Sequence, residues 1–269
     1  MKYIMKNTNA ALNAGLVISA VLVLAMLVGI AYTPYDPDAM NGAAKFSAPS
    51  FAHLMGTDNF GRDIFSRVLE GLKTTFFVAL SVTVIGSFFG VLLGAVTGYF
   101  GGVLDEILMR MNDALAAFPS ILLALVFISV LGSGKYNIIL ALGIIFIPSF
   151  ARIVRGEYIR QKELDYVKSA KLAGAGSFRI MFVHILPNIL PALLSAVTVG
   201  FNNAVLAEAG MSYLGIGVQP PDASLGRMLS EAQGYLFSAP WYALWPGIVI
   251  VLLILGFSLI NEGIGEHHA

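Results

Sequence analysis

The stretch Phe76–Leu104, FFVALSVTVIGSFFGVLLGAVTGYFGGVL, carries no charged residue over 29 positions. A helix needs about 20 mostly apolar residues to cross the hydrocarbon of a bilayer, so this run is long enough with a margin. It is continuously apolar, whereas a lipid-facing β-strand would alternate over about 10 residues. Gly86, Gly90, Gly94 and Gly98 recur at every fourth residue within it. That spacing strips the side chains from one helical face and lets a second helix approach closely. The run is predicted to be a spanning helix packed inside a bundle.

Five further uncharged runs lie on either side: Leu12–Tyr32, Ala114–Leu131, Tyr136–Ala151, Ile185–Ala207 and Trp241–Asn261. The prediction is an all-α polytopic membrane protein with about six transmembrane helices. Tyr136–Ala151 is short, with Pro148 near its end, and must recruit flanking residues or tilt to span. The composition agrees: 57% of the 269 residues are hydrophobic and 12% are charged, with a mean hydropathy of +0.80. A soluble domain carries about 25% charged residues. The net charge is zero, which leaves no basic field for nucleic acid. Cysteine is absent, which excludes disulfides and thiolate metal sites. Lys2 and Lys6 precede the first run as they would in a secretory signal, but that run is longer than a signal's apolar region of about 7–15 residues. A retained span is expected.

The basic residues set the orientation. With the N-terminus inside, the inner segments hold Lys2, Lys6, Arg110 and the group Arg152, Arg155, Arg160, Lys162, Lys168, Lys171 and Arg179. The outer segments hold Lys45, Arg62, Arg67, Lys73, Lys135 and Arg227. Both termini are then predicted to be cytoplasmic.

Thr33–Thr75 is a long outer loop that opens with Pro34, Pro37 and Pro49 and continues into Gly56-Thr57-Asp58-Asn59-Phe60-Gly61-Arg62-Asp63. Asp58 can cap a short helix beginning near Phe60. Ile64, Val68 and Leu72 recur at spacing four, which predicts an amphipathic helix at the outer interface leading into the second span. A solvated connector is the plainer alternative. Glu208–Pro240 is broken by Gly210, Gly215, Gly217, Pro220, Pro221, Gly226 and Gly234. It is predicted to re-enter or lie across the outer face and to line a cavity, since irregular backbone at membrane depth needs protein or water to satisfy it. Glu208, placed just beyond the fifth span, is an ionisable candidate for the pathway. An interfacial carboxylate in water is the alternative.

The inner loop Arg152–His184 holds seven of the sixteen basic residues. Leu164, Val167, Ala170 and Lys171 suit one helix, Gly174-Ala175-Gly176 interrupts it, and Ser177 can cap a second helix over Phe178–His184. Pro187 follows early in the fifth span. Helix connections in bundles usually take about 2–8 residues, so two short helices bent at a glycine point to a docking knob for a soluble partner. A charged loop lying on the membrane surface is the competing reading.

Ser133-Gly134-Lys135-Tyr136 fails as a phosphate loop, because Ser129 stands where the first Gly belongs and Tyr136 replaces Ser/Thr. His53, His184, His267 and His268 offer no pair at i, i+4. Gly210-Met211-Ser212-Tyr213 resembles the surround of an intramembrane serine nucleophile, but no membrane-embedded His follows it. No catalytic constellation stands out.

Four segments together resemble one family, the integral membrane permease subunits of binding-protein-dependent ABC importers, in the dipeptide/oligopeptide/nickel class and of the second-permease type. The family's inner loop reads Glu-Ala-Ala, three residues, Gly, nine residues, Ile-x-Leu-Pro. Here Lys168-Ser169-Ala170, Gly174 and His184-Ile185-Leu186-Pro187 fall at that spacing, with Lys168 and Ser169 departing from the pattern. Gly56-Thr57-Asp58-x-x-Gly61-Arg62-Asp63, Gly98-Tyr99-Phe100-Gly101-Gly102 and Leu214-Gly215-x-Gly217-Val218-Gln219-Pro220-Pro221 match in order.

The resemblance implies a type I ABC importer (MetI-like) transmembrane fold in a prokaryotic cell membrane. It implies an N-terminal part over 1–75, a core over 76–269 and a coupling loop over 152–186. Lys168, Ser169, Ala170, Gly174, Ala175 and Arg179 would meet an ATPase. It further implies a second permease forming a heterodimer with this chain, two ABC ATPase subunits that bind the ATP and Mg, and an extracytoplasmic solute-binding protein. No cofactor would sit in this chain, and it would not itself be an enzyme. Peptides are the expected substrate, nickel or a metal chelate the alternative, and a stand-alone channel or intramembrane enzyme the remote one.

Overall fold

The computed structural model describes residues 2–266, with side chains from residue 10 to residue 263. Among the described residues the regular elements are all helical, with one isolated bridge between Thr57 and Asp63. Five of the described helices are long and apolar enough to cross a membrane, and a bent helix pair makes a sixth. The all-α architecture of five to six spans is as the sequence predicts.

α1 covers Lys2–Ala31. α2 runs over Ile64–Phe100 without a break and ends where Gly101 and Gly102 turn to positive φ. The helix expected at the outer interface, leading into the second span, is continuous with that span. Ile64, Val68 and Leu72 are buried in the main core, and the division at residue 75 falls inside a helix. The cap also differs. Asp63 accepts from the Ser66 N–H at 2.8 Å and starts α2, whereas Asp58 caps a turn by accepting from the N–H groups of Phe60 and Arg62. Asp63 directly precedes Ile64, the first residue of α2, while Asp58 lies two positions before the start expected near Phe60, and only the fold decides between them.

The third apolar run is not one straight span. α3, Gly102–Ala116, and α4, Ser120–Leu131, meet at an 89° bend. Pro119 stands at the corner, where it lacks an N–H and keeps Phe118 out of the helical region. The fourth run recruits its neighbours: α5 covers Lys135–Gln161 with Pro148 inside it. Arg152–Gln161, assigned to the inner loop from sequence, are therefore helical extensions of a span.

α6, Asp165–Leu172, follows. The second inner helix expected over Phe178–His184, capped by Ser177, is not separate. Ser177–Arg179 is a single turn with no side-chain cap. It passes through a π-helical stretch at Ile180–Ile185 and a 3₁₀ stretch at Leu186–Ile189 into α7, Leu190–Tyr213. Pro187 and Pro191 each remove an N–H from the i→i−4 ladder, so the hydrogen-bond register slips on the way. α8, Leu225–Ala232, lies in the broken outer segment, and α9, Pro240–Glu266, closes the chain.

The spine of the bundle is α2 against α5, with α1 packed along α9 and α7 across α2 and α9. The four-residue glycine stripe makes the spine possible. A methyl group at Gly94 would sit 2.6 Å from the Ala151 carbonyl oxygen, and one at Gly98 would sit 2.7 Å from the Tyr158 Cβ. The first core gathers the outer halves of α2, α5, α7, α8 and α9. The second gathers Ala95, Val154, Tyr158, Val167, Ile180 and Met181 beneath α6.

Candidate functional site

At the end of the bundle that carries α6, the chain builds a compact knob. Gly174 has φ +82. Its N–H bonds the Lys171 carbonyl at 3.0 Å, and the Ala175 N–H bonds the Ala170 carbonyl at 3.0 Å. This pair of bonds closes α6 with a residue in the left-handed region, which glycine adopts at little cost. No heavy atom lies within 4 Å of a methyl group placed on Gly174, so the glycine serves the turn and not the packing.

Below the turn, Val167 is fully buried, with Ala170 and Ala175 half-buried against the second core. The Tyr158 hydroxyl donates to the Met181 carbonyl at 3.0 Å, and Lys162 Nζ donates to the Gly98 carbonyl at 2.9 Å. Above it, Lys168, Ser169, Gly174 and Arg179 are exposed. The six positions picked from the sequence thus divide into four on the free surface and two in the seat. The sequence reading omitted Leu172 and Phe178, two large apolar side chains left almost bare at the tip of the knob. Leu172 follows Lys171 outside the motif spacing, and nothing in its local pattern distinguishes it from a core residue.

At the opposite end of the bundle the motif Gly56, Thr57, Asp58, Gly61, Arg62, Asp63 folds into a buried polar clamp. Gly61 is pressed against the Asn41 backbone and Gly56 against Ser47 and Trp241, leaving no room for a side chain. The Thr57 hydroxyl donates to the Ala44 carbonyl. Asp58, fully buried, accepts from Arg62 Nε at 2.6 Å. Asp63 Oδ1 faces His53 Nδ1 at 2.9 Å. Arg62 then reaches across to Glu231 Oε2 on α8 at 2.9 Å.

Glu231 also receives the Tyr242 hydroxyl of α9 at 3.0 Å and Arg227 Nε at 3.2 Å, with Arg67 Nη2 3.6 Å away. Burial works to raise the Glu231 pKa, but Arg67 and Arg62, with the Tyr242 and Arg227 hydrogen bonds, hold it below the usual carboxylate range. Burial likewise opposes the charge on Arg62, and Asp58 and Glu231 outweigh it and raise that pKa. Glu231 was not singled out from the sequence, because Arg62 and Arg67, which reach it from the loop and from α2, are more than 160 residues away.

Glu208 sits differently from its sequence placement. It lies within α7, not beyond the fifth span, and it is fully buried. Its Oε1 accepts from the Ser212 hydroxyl at 2.7 Å, and Ser212 Oγ in turn accepts from the Val218 N–H at 3.1 Å. Thr75 on α2 accepts from the Leu225 N–H at 3.2 Å. Glu208 thus belongs to a polar node beneath the turn at Leu214–Gly217, fully buried within the helix bundle. Lys135, from the false phosphate loop, is held by Asp222 at 3.0 Å.

A groove lies elsewhere, away from Glu208. It encloses about 740 Å³ between α4, α5 and α7, with Ser120, Ser149, Ser195 and Asn203 among apolar Ile145, Phe146, Ile153 and Val199. Its lining recurs at i, i+3, i+4 and i+7 on α7 (Ala192, Ser195, Ala196, Val199). That spacing marks one helical face, and small and polar residues on such a face of a spanning helix are the one signal in the sequence that could have found it.

Residues 90–267 match the family described as binding-protein-dependent transport system inner membrane component. The chain is 39% identical over 258 residues to the dipeptide transport system permease protein DppC of Haemophilus influenzae, covering 94% of this chain and 88% of that one. It is 36% identical to the glutathione transport system permease protein GsiD of Pectobacterium atrosepticum, covering 93% and 85%. It is also 36% identical to the probable D,D-dipeptide transport system permease protein DdpC of Escherichia coli, covering 93% and 85%. Among solved structures, an inward-facing form of the MetNI methionine ABC transporter superposes with a TM-score of 0.54. The sequence identity is 24%, and 74% of this chain and 92% of that one are covered. That likeness establishes the fold.

Proposed function

The chain belongs to the family of binding-protein-dependent transport system inner membrane components, and from that premise we propose that it is the permease through which an ABC importer takes up di- and oligopeptides. The observation that carries the substrate is the similarity over more than nine tenths of the chain to permeases named for dipeptides, D,D-dipeptides and glutathione. All three are short peptides or peptide-like.

In this reading the groove between α4, α5 and α7 is one wall of the pathway, and a second permease closes it. The exposed apolar faces of α3 and α4, with Ile107, Met111, Leu122 and Val126 outward, support such a partner. The α6 knob is the contact with a separate ATPase. A bare apolar tip on a seat fixed by Tyr158 and Lys162 suits a socket in another protein and transmits displacement without bending. ATP and Mg would be bound in that partner, and their turnover would bias the permease pair between inward-open and outward-open states. The concentration of basic residues around the knob supports its placement, and that of both termini, on the cytoplasmic side. The clamped outer face is where a solute-binding protein would release its cargo.

Uptake decides between the substrates. Cells deleted for their own peptide importers and supplied with this chain and its neighbouring transport genes are expected to accumulate a radiolabelled dipeptide, and to lose that ability when this chain alone is removed. Accumulation of nickel without peptide would transfer the assignment to the metal class.

A further inference from the structure

The outer loop between Phe46 and Thr57 contains no charged residue, although Lys45 and Asp58 bound it directly. Its tip presents Phe51 fully exposed, with Leu54 three residues on and more than half exposed. Large apolar side chains left bare on a loop mark a contact surface. The loop's position indicates which kind. Phe51, Ala52 and Leu54 share a surface cleft with Tyr32 and Pro34, the residues that follow α1 as it leaves its span. The Tyr35 hydroxyl donates to the Ala52 carbonyl at 2.8 Å, and the Tyr35 and His53 rings lie 4.7 Å apart, so the loop is fixed at that height.

α1 packs on α9 and α2 and contributes no residue to the groove wall. It turns Leu24, Leu27 and Val28 outward. The side of the molecule that carries the loop thus lies away from the groove and turns apolar side chains outward. A second fully exposed phenylalanine, Phe237, stands three residues before α9 begins, again at the outer end of a span.

We propose that Phe51, with Leu54, and Phe237 insert into the outer boundary of the bilayer and anchor the outer loops to a lipid surface. Aromatic residues at span ends favour this zone, where apolar side chains sit about 5–10 Å into the boundary between headgroups and acyl chains. The anchor holds residues 33–63 down beside α1, so the Asp58–Arg62 clamp is presented at a fixed height above the membrane. This inference depends on the chain spanning a bilayer and not on its substrate.

The absence of cysteine permits a clean test. Phe51→Cys, Phe237→Cys and, as a control at an exposed charged position of the same loop, Lys45→Cys are each labelled with a nitroxide. Each labelled chain is assembled with its partner subunits in phospholipid nanodiscs. Power saturation then compares relaxation by oxygen, which concentrates in lipid, with relaxation by a water-soluble nickel chelate. The labels at 51 and 237 are expected to favour oxygen by several-fold over the label at 45. Equal access of the chelate at 51 and 45 would overturn the proposal, as would protection of position 51 from both reagents, which would place it against protein.

Discussion

Arg62 and Glu231 lie 169 positions apart in the chain and meet at 2.9 Å. Their contact ties the loop ahead of α2 to the helix ahead of α9, and Tyr242 shares the same carboxylate oxygen at 3.0 Å. Glu231→Gln keeps the shape and removes the charge that balances Arg62 and Arg67. Breaking a buried pair from one side costs on the order of 3 kcal/mol. A drop of several degrees in the thermal midpoint of the detergent-purified transporter is expected, with little recovery from added salt because the pair is shielded from solvent.

The same carboxylate makes stability depend on pH. Its folded pKa lies below the ordinary value, so its stabilisation is complete above the unfolded pKa of about 4.3 and is lost as pH falls through the folded pKa. A melting series from pH 7 downward should show the wild type losing stability below about pH 5. The Glu231→Gln variant, already lower, should show a shallower slope in that window. Parallel curves would remove Glu231 from the acid response.

Gly174→Ala tests the turn of the inner knob. The site has open space but a φ of +82, so the cost is conformational, about 1–2 kcal/mol, and local. Membrane insertion should be normal while coupling between ATP hydrolysis and uptake falls several-fold, and Gly174→Asn should retain more activity than alanine. Gly174→Pro, which also removes the N–H given to Lys171, and Ala170→Asp, which places a charge in the seat, should uncouple more severely. Full uptake by both would remove the docking role.

Gly94→Val bears on the spine. Even its first carbon would meet the Ala151 carbonyl oxygen at 2.6 Å, and overpacking of this kind costs about 1–3 kcal/mol where helices can shift. Here the contact runs along a glycine stripe with no slack, so a marked loss of folded protein after membrane extraction is expected. Gly210→Ala, with nothing within 4 Å, should be neutral in the same assay.

Ala196→Trp fills the groove without entering the core, since Ala196 lines it and is only half-buried. Labelled dipeptide uptake should fall at least tenfold while the thermal midpoint stays within a degree or two. A variant that transports normally would move the pathway to another face.

The spans were legible because a charge-free run of the right length has one common physical solution in a bilayer. The α2/α5 spine was legible in part, since Gly86–Gly98 announced a close neighbour without saying which. Less accessible was anything decided by proline in context. Pro119 breaks the third run while Pro148 stays inside α5, and a single sequence gives both the same local signal. The glycine of the inner knob could be read from its spacing, because a left-handed turn restricts residue type. Glu208 was placed at a helix end since the glycines after it looked like breaks, yet Gly210 is helical and the chain turns only at Leu214. The motif of the clamp was legible in Gly56–Asp63, but its tie to Glu231 escaped for another reason: Arg62 and Glu231 are 169 positions apart, and pairing at that range leaves no local trace.

The continuity of α2 has a mechanical consequence. At about 1.5 Å per residue its 37 residues span about 55 Å, against a hydrocarbon thickness of about 30 Å. Asp63 pins one end at the outer clamp, and Gly98 receives Lys162 at the other. The glycines between them are closely packed, Gly71 against Ser224 and Leu225, and Gly86, Gly90 and Gly94 against α5. The helix is therefore a beam and not a joint: a tilt of about 5° moves one end against the other by about 5 Å, the size of one helical turn. In the proposed mechanism, a push on the knob and a release at the opposite face would be two ends of the same lever.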